Sequence, residues 1–205
     1  MDDNLVVTLF RHGLTFANER KAYLGWTDSA LSRKGKEQLS QIADDVQAVF
    51  SSDLTRCIDT AAILFPKIPA IKKREFREIH FGAWEGKTYQ ALQDDSDYQN
   101  WLEQPFTRTP PGGENYEKFA DRIQSGWEAC MDEVMSQGVK RTAIVTHGGV
   151  IRYLLMKFAP VERAFWEWSV THGTGWELTF KTDDLRRGKR CILLQEVHIT
   201  ANHDG

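Results

Sequence analysis

Cysteine is scarce: three residues in 205, Cys57, Cys130 and Cys191, an odd and scattered set without CxxC spacing. That leaves no disulfide framework and no structural zinc site to expect, and a reducing cytoplasm is the expected compartment. Basic excess is also missing. Lys and Arg number 26 against 29 Asp and Glu, for a net charge of −3 and a pI of about 6.1. No global positive field is available to hold nucleic acid, although a local positive pocket is compatible with these numbers. Long hydrophobic runs are absent too. The opening MDDNLVV carries acid rather than base, and its apolar stretch is too short for a signal peptide or a membrane span. Repeats and low-complexity linkers are not found. What remains is 41% hydrophobic and 27% charged, ordinary for a globular protein, in a chain long enough to bury a core without staples. One domain over residues 1–205 is expected.

Apolar runs alternate with helical patterns. Residues 5–10 read as a strand, and Leu39, Ile42, Ala43 and Val46 have the spacing of an amphipathic helix. A short strand at 48–51 leads to Ser52 and Asp53, good N-cap types, and to a helix reaching Leu64. Pro66 and Pro69 break it, and a strand is expected near 70–75. Phe119, Ile123, Trp127, Cys130 and Val134 mark a long helix capped by Asn115. A strand at 142–146 is followed by Gly148, Gly149 and a helix marked by Ile151, Leu154, Leu155 and Phe158. Residues 176–180 and 192–197 read as closing strands, with the charged stretch 183–190 a solvated turn between them. This alternation predicts an α/β layered fold with a largely parallel sheet. Residues 82–114, aromatic and acidic and ending in a Pro-Gly cluster, read as a partly helical excursion that caps a site. Trp84 and Trp101 are its candidates for an entrance lining.

Four segments place polar groups just after expected strands, where ligands collect in open α/β sheets. They are Arg11-His12-Gly13, SSDLTR with Arg56, FREIHFGAWEG with Glu78 and Glu85, and VTHGGVIR with His147. If the four meet, two guanidiniums, two imidazoles and a carboxylate share one pocket. Arginine matches the fork of phosphate oxygens, and the N–H groups opening a helix favour an anion. Such a pocket in a net-acidic protein points to a small phosphorylated metabolite as partner, with no nucleic acid and no membrane; a homodimer stays open.

RHG near the start, SSDLTRCIDTA, FREIHFGAWEG, PPGGE and THGGVIR occur in that order across residues 5–152, about three-quarters of the chain. Together they resemble the histidine phosphatase superfamily, the phosphoglycerate mutase-like family. The resemblance implies a three-layer α/β/α sandwich around a mostly parallel central sheet of about six strands. It implies catalysis through a phosphohistidine, without metal or other cofactor. Carried over by position, His12 is the nucleophile. Arg11, Arg56 and His147 hold the phosphoryl oxygens, and Glu78 is the proton donor and then the base. Asn18, Gly13, Gly25 and Gly148 fall at substrate-binding positions.

The chemistry agrees with these roles. Imidazole is largely unprotonated near neutral pH, with a reference pKa of about 6.5. A covalent N–P intermediate divides one hard displacement into two easier ones. Cations offset the charge of the phosphoryl group, and a carboxylic acid protonates the poor leaving alkoxide. Gly13 leaves room where backbone passes the ligand or the imidazole. Glu85 competes with Glu78 for the acid and is read instead as a buried acceptor. His172, in VTHGTGW, is a weaker candidate for the pocket, and His80, His198 and His203 are read as surface or core.

Within the family, a phosphomonoester phosphatase is the expected activity. The alternatives are a cofactor-dependent phosphoglycerate mutase and a non-catalytic phospho-ligand module. Gly149 stands where mutases usually carry Asn, their paired arginines reduce to Arg108, and Phe81 and Tyr89 replace a Tyr and a Lys. Leu14 stands where many phosphatases of the family carry Glu.

Overall fold

The apolar run at the start of the chain becomes β1 (Asn4–Arg11), and its side chains alternate between two buried faces. The computed structural model describes residues 4–42 and 45–199. After β1 come α1 (Phe16–Glu19), α2 (Arg33–Glu37), β2 (Ala48–Ser51), α3 (Thr55–Leu64) and β3 (Ile71–Lys72). The excursion holds α4 (Tyr89–Leu92) and α5 (Ser96–Glu103), and the long α6 (Tyr116–Ser136) follows. β4 (Arg141–Thr146), α7 (Gly148–Phe158), β5 (Thr174–Lys181), α8 (Thr182–Arg186) and β6 (Leu193–His198) complete the order.

The six strands lie in the order β3-β2-β4-β1-β5-β6. Pairings from β3 through β1 are parallel, and β5 and β6 add antiparallel edges. The period of two then divides the core. Leu5, Val7, Leu9 and Ile144 face α6 and α7, while Phe10, Val49, Ala143 and Val145 face α3. Strands covered on both faces read as continuous apolar runs rather than alternating ones. The result is the expected three-layer α/β/α sandwich. On α6, Asn115 does cap the helix, its Oδ1 accepting the Lys118 N–H at 2.8 Å. Among the described residues no helix is long and apolar enough to cross a membrane. The three cysteines are free and buried.

Several local expectations are corrected. Leu39, Ile42 and Val46 do not form a helix: α2 ends at Glu37, and Ala43 lies outside the described residues. The Ile42 N–H instead bonds the Leu64 carbonyl at the end of α3, 3.0 Å away, so a tertiary bond replaces the helical one. Ser52 and Asp53 do not cap α3. Leu54 holds the N-cap position, and Asp53 pairs bidentately with Arg77 at 2.6 Å. β3 is confined to two residues because residues 74–76 turn into a 3₁₀ helix that buries Phe76. The 183–190 stretch opens with the single turn of α8. Trp84 is not at an entrance. It is 1% exposed, inside an aromatic cluster with Tyr98 and Trp101 that consolidates the excursion.

Candidate active site

β1, β2 and β4 run parallel, so their C-terminal ends share one edge, with Arg11 opposite Thr146 and Ser51 opposite Val145. The chain leaves each end into the same space. His12 keeps the ladder for one more step, its N–H bonding the Thr146 carbonyl at 2.9 Å. His147 follows β4 directly and holds the N-cap position of α7. Their rings lie 5.1 Å apart, edge to face, and both residues are almost wholly buried.

His12 Nδ1 is 2.8 Å from the Gly13 carbonyl. A carbonyl only accepts, so Nδ1 carries the proton and Nε2 keeps its lone pair. Gly13 is itself tied down, its N–H bonding Thr60 Oγ1 at 3.0 Å, and Thr60 Oγ1 bonds the Arg56 carbonyl at 2.7 Å. A Cβ at Gly13 would stand 2.9 Å from Leu39 Cδ1, which explains both the glycine and the packing of the segment after α2. His147 Nε2 lies 2.9 Å from Ser52 Oγ and 3.5 Å from Cys57 Sγ. Burial pushes that thiol up to about 12, so it stays neutral.

Two guanidiniums approach the imidazoles. Arg56, fully buried in the first turn of α3, donates to the Gly25 carbonyl at 2.6 Å and the Thr27 carbonyl at 3.0 Å. Asp28 lies 3.7 Å from it. Arg11 donates to the Val170 carbonyl at 2.6 Å. The Nε of each is buried without an acceptor among the described residues. Burial lowers both groups, Arg11 to about 10, while nearby Glu78 opposes the shift. Each remains a cation at neutral pH, with donor capacity unspent on protein.

Glu78 reaches the start of α7, where its Oε2 accepts the Gly149 N–H at 2.9 Å and Oε1 the Ile79 N–H at 3.0 Å. A Cβ at Gly149 would collide with Glu78 Oε1, so this approach requires glycine. Gly148 is bare where a Cβ would lie 3.3 Å from Arg11 Cζ. Gly25 contributes through its carbonyl to Arg56 and has no space for a side chain against Ile79 and Glu85. Asn18 sits in α1, with its Oδ1 bonded to the Thr15 N–H and hydroxyl at 3.2 and 2.8 Å. Those bonds hold it to its own loop and do not join it to the imidazole pair. Glu85 is an acceptor for backbone: Trp26, Thr27 and Phe81 N–H groups all bond it. Burial raises Glu85, but the bonds from Thr27 and Trp26 outweigh it and hold the carboxyl below its ordinary range.

Two residues of the site were weak or silent in sequence. His172 packs edge to face on His12 at 5.3 Å. Burial, then Arg11, pushes it down to about 3, and its Nε2 is buried without a partner among the described residues. Arg152 stands one helical turn after Gly148, so the i,i+4 spacing of α7 was the signal for it. His80 is partly exposed, 3.5 Å from Glu85 and against Trp26. His198 is exposed, and His203 lies outside the described residues. Among the described residues no group of three His, Cys, Asp or Glu is arranged to hold a metal ion.

The histidines also set an acid limit to stability. His12 and His147 are held well below 6.5, by burial first and the neighbouring guanidiniums next. With His172 they refuse protons that the unfolded chain accepts below pH 6.5. Each then costs about 1.4 kcal/mol per pH unit as pH falls from 6.5 toward its lowered value. Thermal melts of the ligand-free protein are expected to drop steeply between pH 6.5 and 5, above the carboxylate range. A flat Tm over that interval would contradict the burial of neutral imidazoles.

The model of the histidine phosphatase superfamily (branch 1) matches residues 7–186. A phosphoglycerate mutase-like protein 4 of Arabidopsis thaliana is 31% identical over 173 residues, 78% of this chain and 74% of that one. A broad-specificity phosphatase of Saccharomyces cerevisiae is 30% identical over 174 residues, 75% of this chain and 71% of that one. The crystal structure of an alpha-ribazole phosphatase from Shigella flexneri superposes with a TM-score of 0.80, covering 98% of this chain and 100% of that one at 24% identity, a likeness of fold. The length of the family match and the meeting of the ends of β1, β2 and β4 at one sheet edge lead to the same conclusion: the chain belongs to the histidine phosphatase superfamily, branch 1.

Proposed function

We propose that the protein is a phosphomonoester phosphatase working through a phosphohistidine at His12. One observation carries this: His12 is locked by its Nδ1–H on the Gly13 carbonyl, with the Nε2 lone pair available beside two buried arginines that have donors to spare. Nε2 attacks phosphorus as the bond to the alcohol oxygen breaks, and Glu78 gives that oxygen its proton. Water then attacks the phosphohistidine, Glu78 takes a proton from it, the N–P bond breaks and inorganic phosphate leaves. Arg11, Arg56 and His147 offset the charge gathering on the phosphoryl oxygens, most strongly in the transition state. His147 is neutral in the free protein, and an arriving dianion favours its protonated form. The bare backbone at Gly13 and Gly148 lets a phosphoryl group approach, and Asn18, its oxygen occupied by Thr15, offers its amide N–H₂. No step uses a metal.

The phosphatase reading is preferred over the mutase one. Arg108 and Tyr89 are exposed, and Arg108 stands alone in TRTPPGG where mutases carry a pair of arginines. A relative's name, broad-specificity phosphatase, supports the same branch. Steady release of inorganic phosphate from several phosphomonoesters, unaffected by a chelator, is the expected result of a metabolite screen. Efficient interconversion of 3- and 2-phosphoglycerate with little phosphate released would overturn it, and loss of activity on chelation would overturn the metal-free route.

A further inference from the structure

Glu78 borders a cleft of about 110 Å³ whose walls include Phe81, Trp101, Phe106, Phe119, Phe165 and Trp166. Phe106 and Trp166 also line a more open cavity of about 540 Å³ beside Leu102, so the aromatic wall continues outward. These three side chains are 44%, 58% and 39% exposed, large apolar groups gathered at one mouth. Such a cluster marks a binding surface rather than an ordinary exterior. Hydroxyls of a sugar or glycerate would meet few partners along it and would lose their water for little return.

Among the described residues lining the cleft, Arg152 is the one cation. Its Nε donates to the Trp168 carbonyl at 3.2 Å, and its guanidinium lies 5.6 Å from the Trp166 ring centroid. Its Nη1 and Nη2 donors have no acceptor among the described residues. An arginine fixed at one end, resting on an aromatic face and lining the pocket with free donors, is arranged to meet an acceptor on a ligand.

Resting on the phosphatase reading, we infer that the alcohol part of the substrate is an apolar, ring-bearing group carrying a carboxylate or similar acceptor, with the ring in the aromatic cleft and the acceptor on Arg152. Arg152 is then a specificity-determining residue; its Nη1 also stands beside Gly148 and Arg11, so the test must separate this role from one on the phosphoryl group. The leaving oxygen lies toward Glu78, and the ring extends away from it toward Phe106 and Trp166.

The test uses alkyl esters of similar leaving-group basicity: glycerol 3-phosphate, 2-phenylethyl phosphate and its 4-carboxy derivative. For the unmodified protein, kcat/KM is expected to rise at least about tenfold from glycerol 3-phosphate to the phenylethyl ester, and again to the carboxy derivative. Arg152→Gln is expected to lower the ratio of carboxy to plain phenylethyl ester about tenfold. If that substitution lowers both esters in step, Arg152 serves the phosphoryl group and the inference fails. It fails equally if glycerol 3-phosphate is the best substrate. Calorimetry with the corresponding phosphonates, which cannot be hydrolysed, reads the same preferences without turnover. Discriminating binding with no phosphate released from any ester would overturn the phosphatase reading and leave standing only the cleft's preference for a ring and an acceptor. Undiscriminating binding would overturn this one.

Discussion

Replacing His12 by Ala is expected to reduce kcat for phosphate release by at least about 10⁴-fold, the scale on which removal of a covalent nucleophile acts. Without Nε2 no N–P bond forms, and the surrounding cations only bind the ester. The hydrogen bonds of His12 are its backbone N–H and its own Gly13 bond, and its ring packs on His147 and His172, so the substitution leaves a small cavity but no buried charge. Folding is therefore expected to survive. The control is inorganic phosphate, which should still raise Tm in the variant because Arg11, Arg56 and His147 remain. A variant within tenfold of the unmodified kcat would remove His12 from the chemistry.

The second large effect depends on the leaving group. Glu78→Gln keeps the shape of the side chain and one of the two acceptors used by the Gly149 and Ile79 N–H groups. It cannot donate an acidic proton. For an alkyl phosphate, whose alkoxide is a poor leaving group, kcat is expected to fall about 10²- to 10⁴-fold. For 4-nitrophenyl phosphate, whose phenolate departs unaided, phosphorylation of His12 should lose far less, visible as a burst of nitrophenol. Equal losses with both esters would mean that Glu78 positions α7 and transfers no proton.

The legible parts of the molecule were those where local pattern and tertiary demand agree. β1 and β4 announce themselves as apolar runs because both faces are buried, and the polar residues that end them stand out for that reason. Asn115 was readable as a cap because its side chain serves only its own helix. Ser52 was misread for the opposite cause: its hydroxyl serves His147, 95 residues away, and no local rule sees that. Leu39 and Ile42 have helical spacing, yet Leu39 fills the space beside Gly13 and Ile42 is pinned to the end of α3. The convergence of His12, Arg56, Glu78 and His147 was suggested by their places after expected strands, and their roles came from the family motifs. His172 lies in no such motif, and only the fold brings it against His12. Trp84 and Trp101 looked alike in sequence, but one is sealed in the aromatic cluster and the other also faces the cleft.

The central claim is a covalent bond between phosphorus and one nitrogen. Quenching in denaturant at alkaline pH during turnover, followed at once by digestion and mass spectrometry without an acid step, tests it directly. The account predicts an added phosphoryl group on the peptide containing residues 11–13, lost in acid, kept in base, and absent from His12→Ala. Continued turnover with no such adduct under rapid quenching, or an adduct on a serine or on His147, would contradict it.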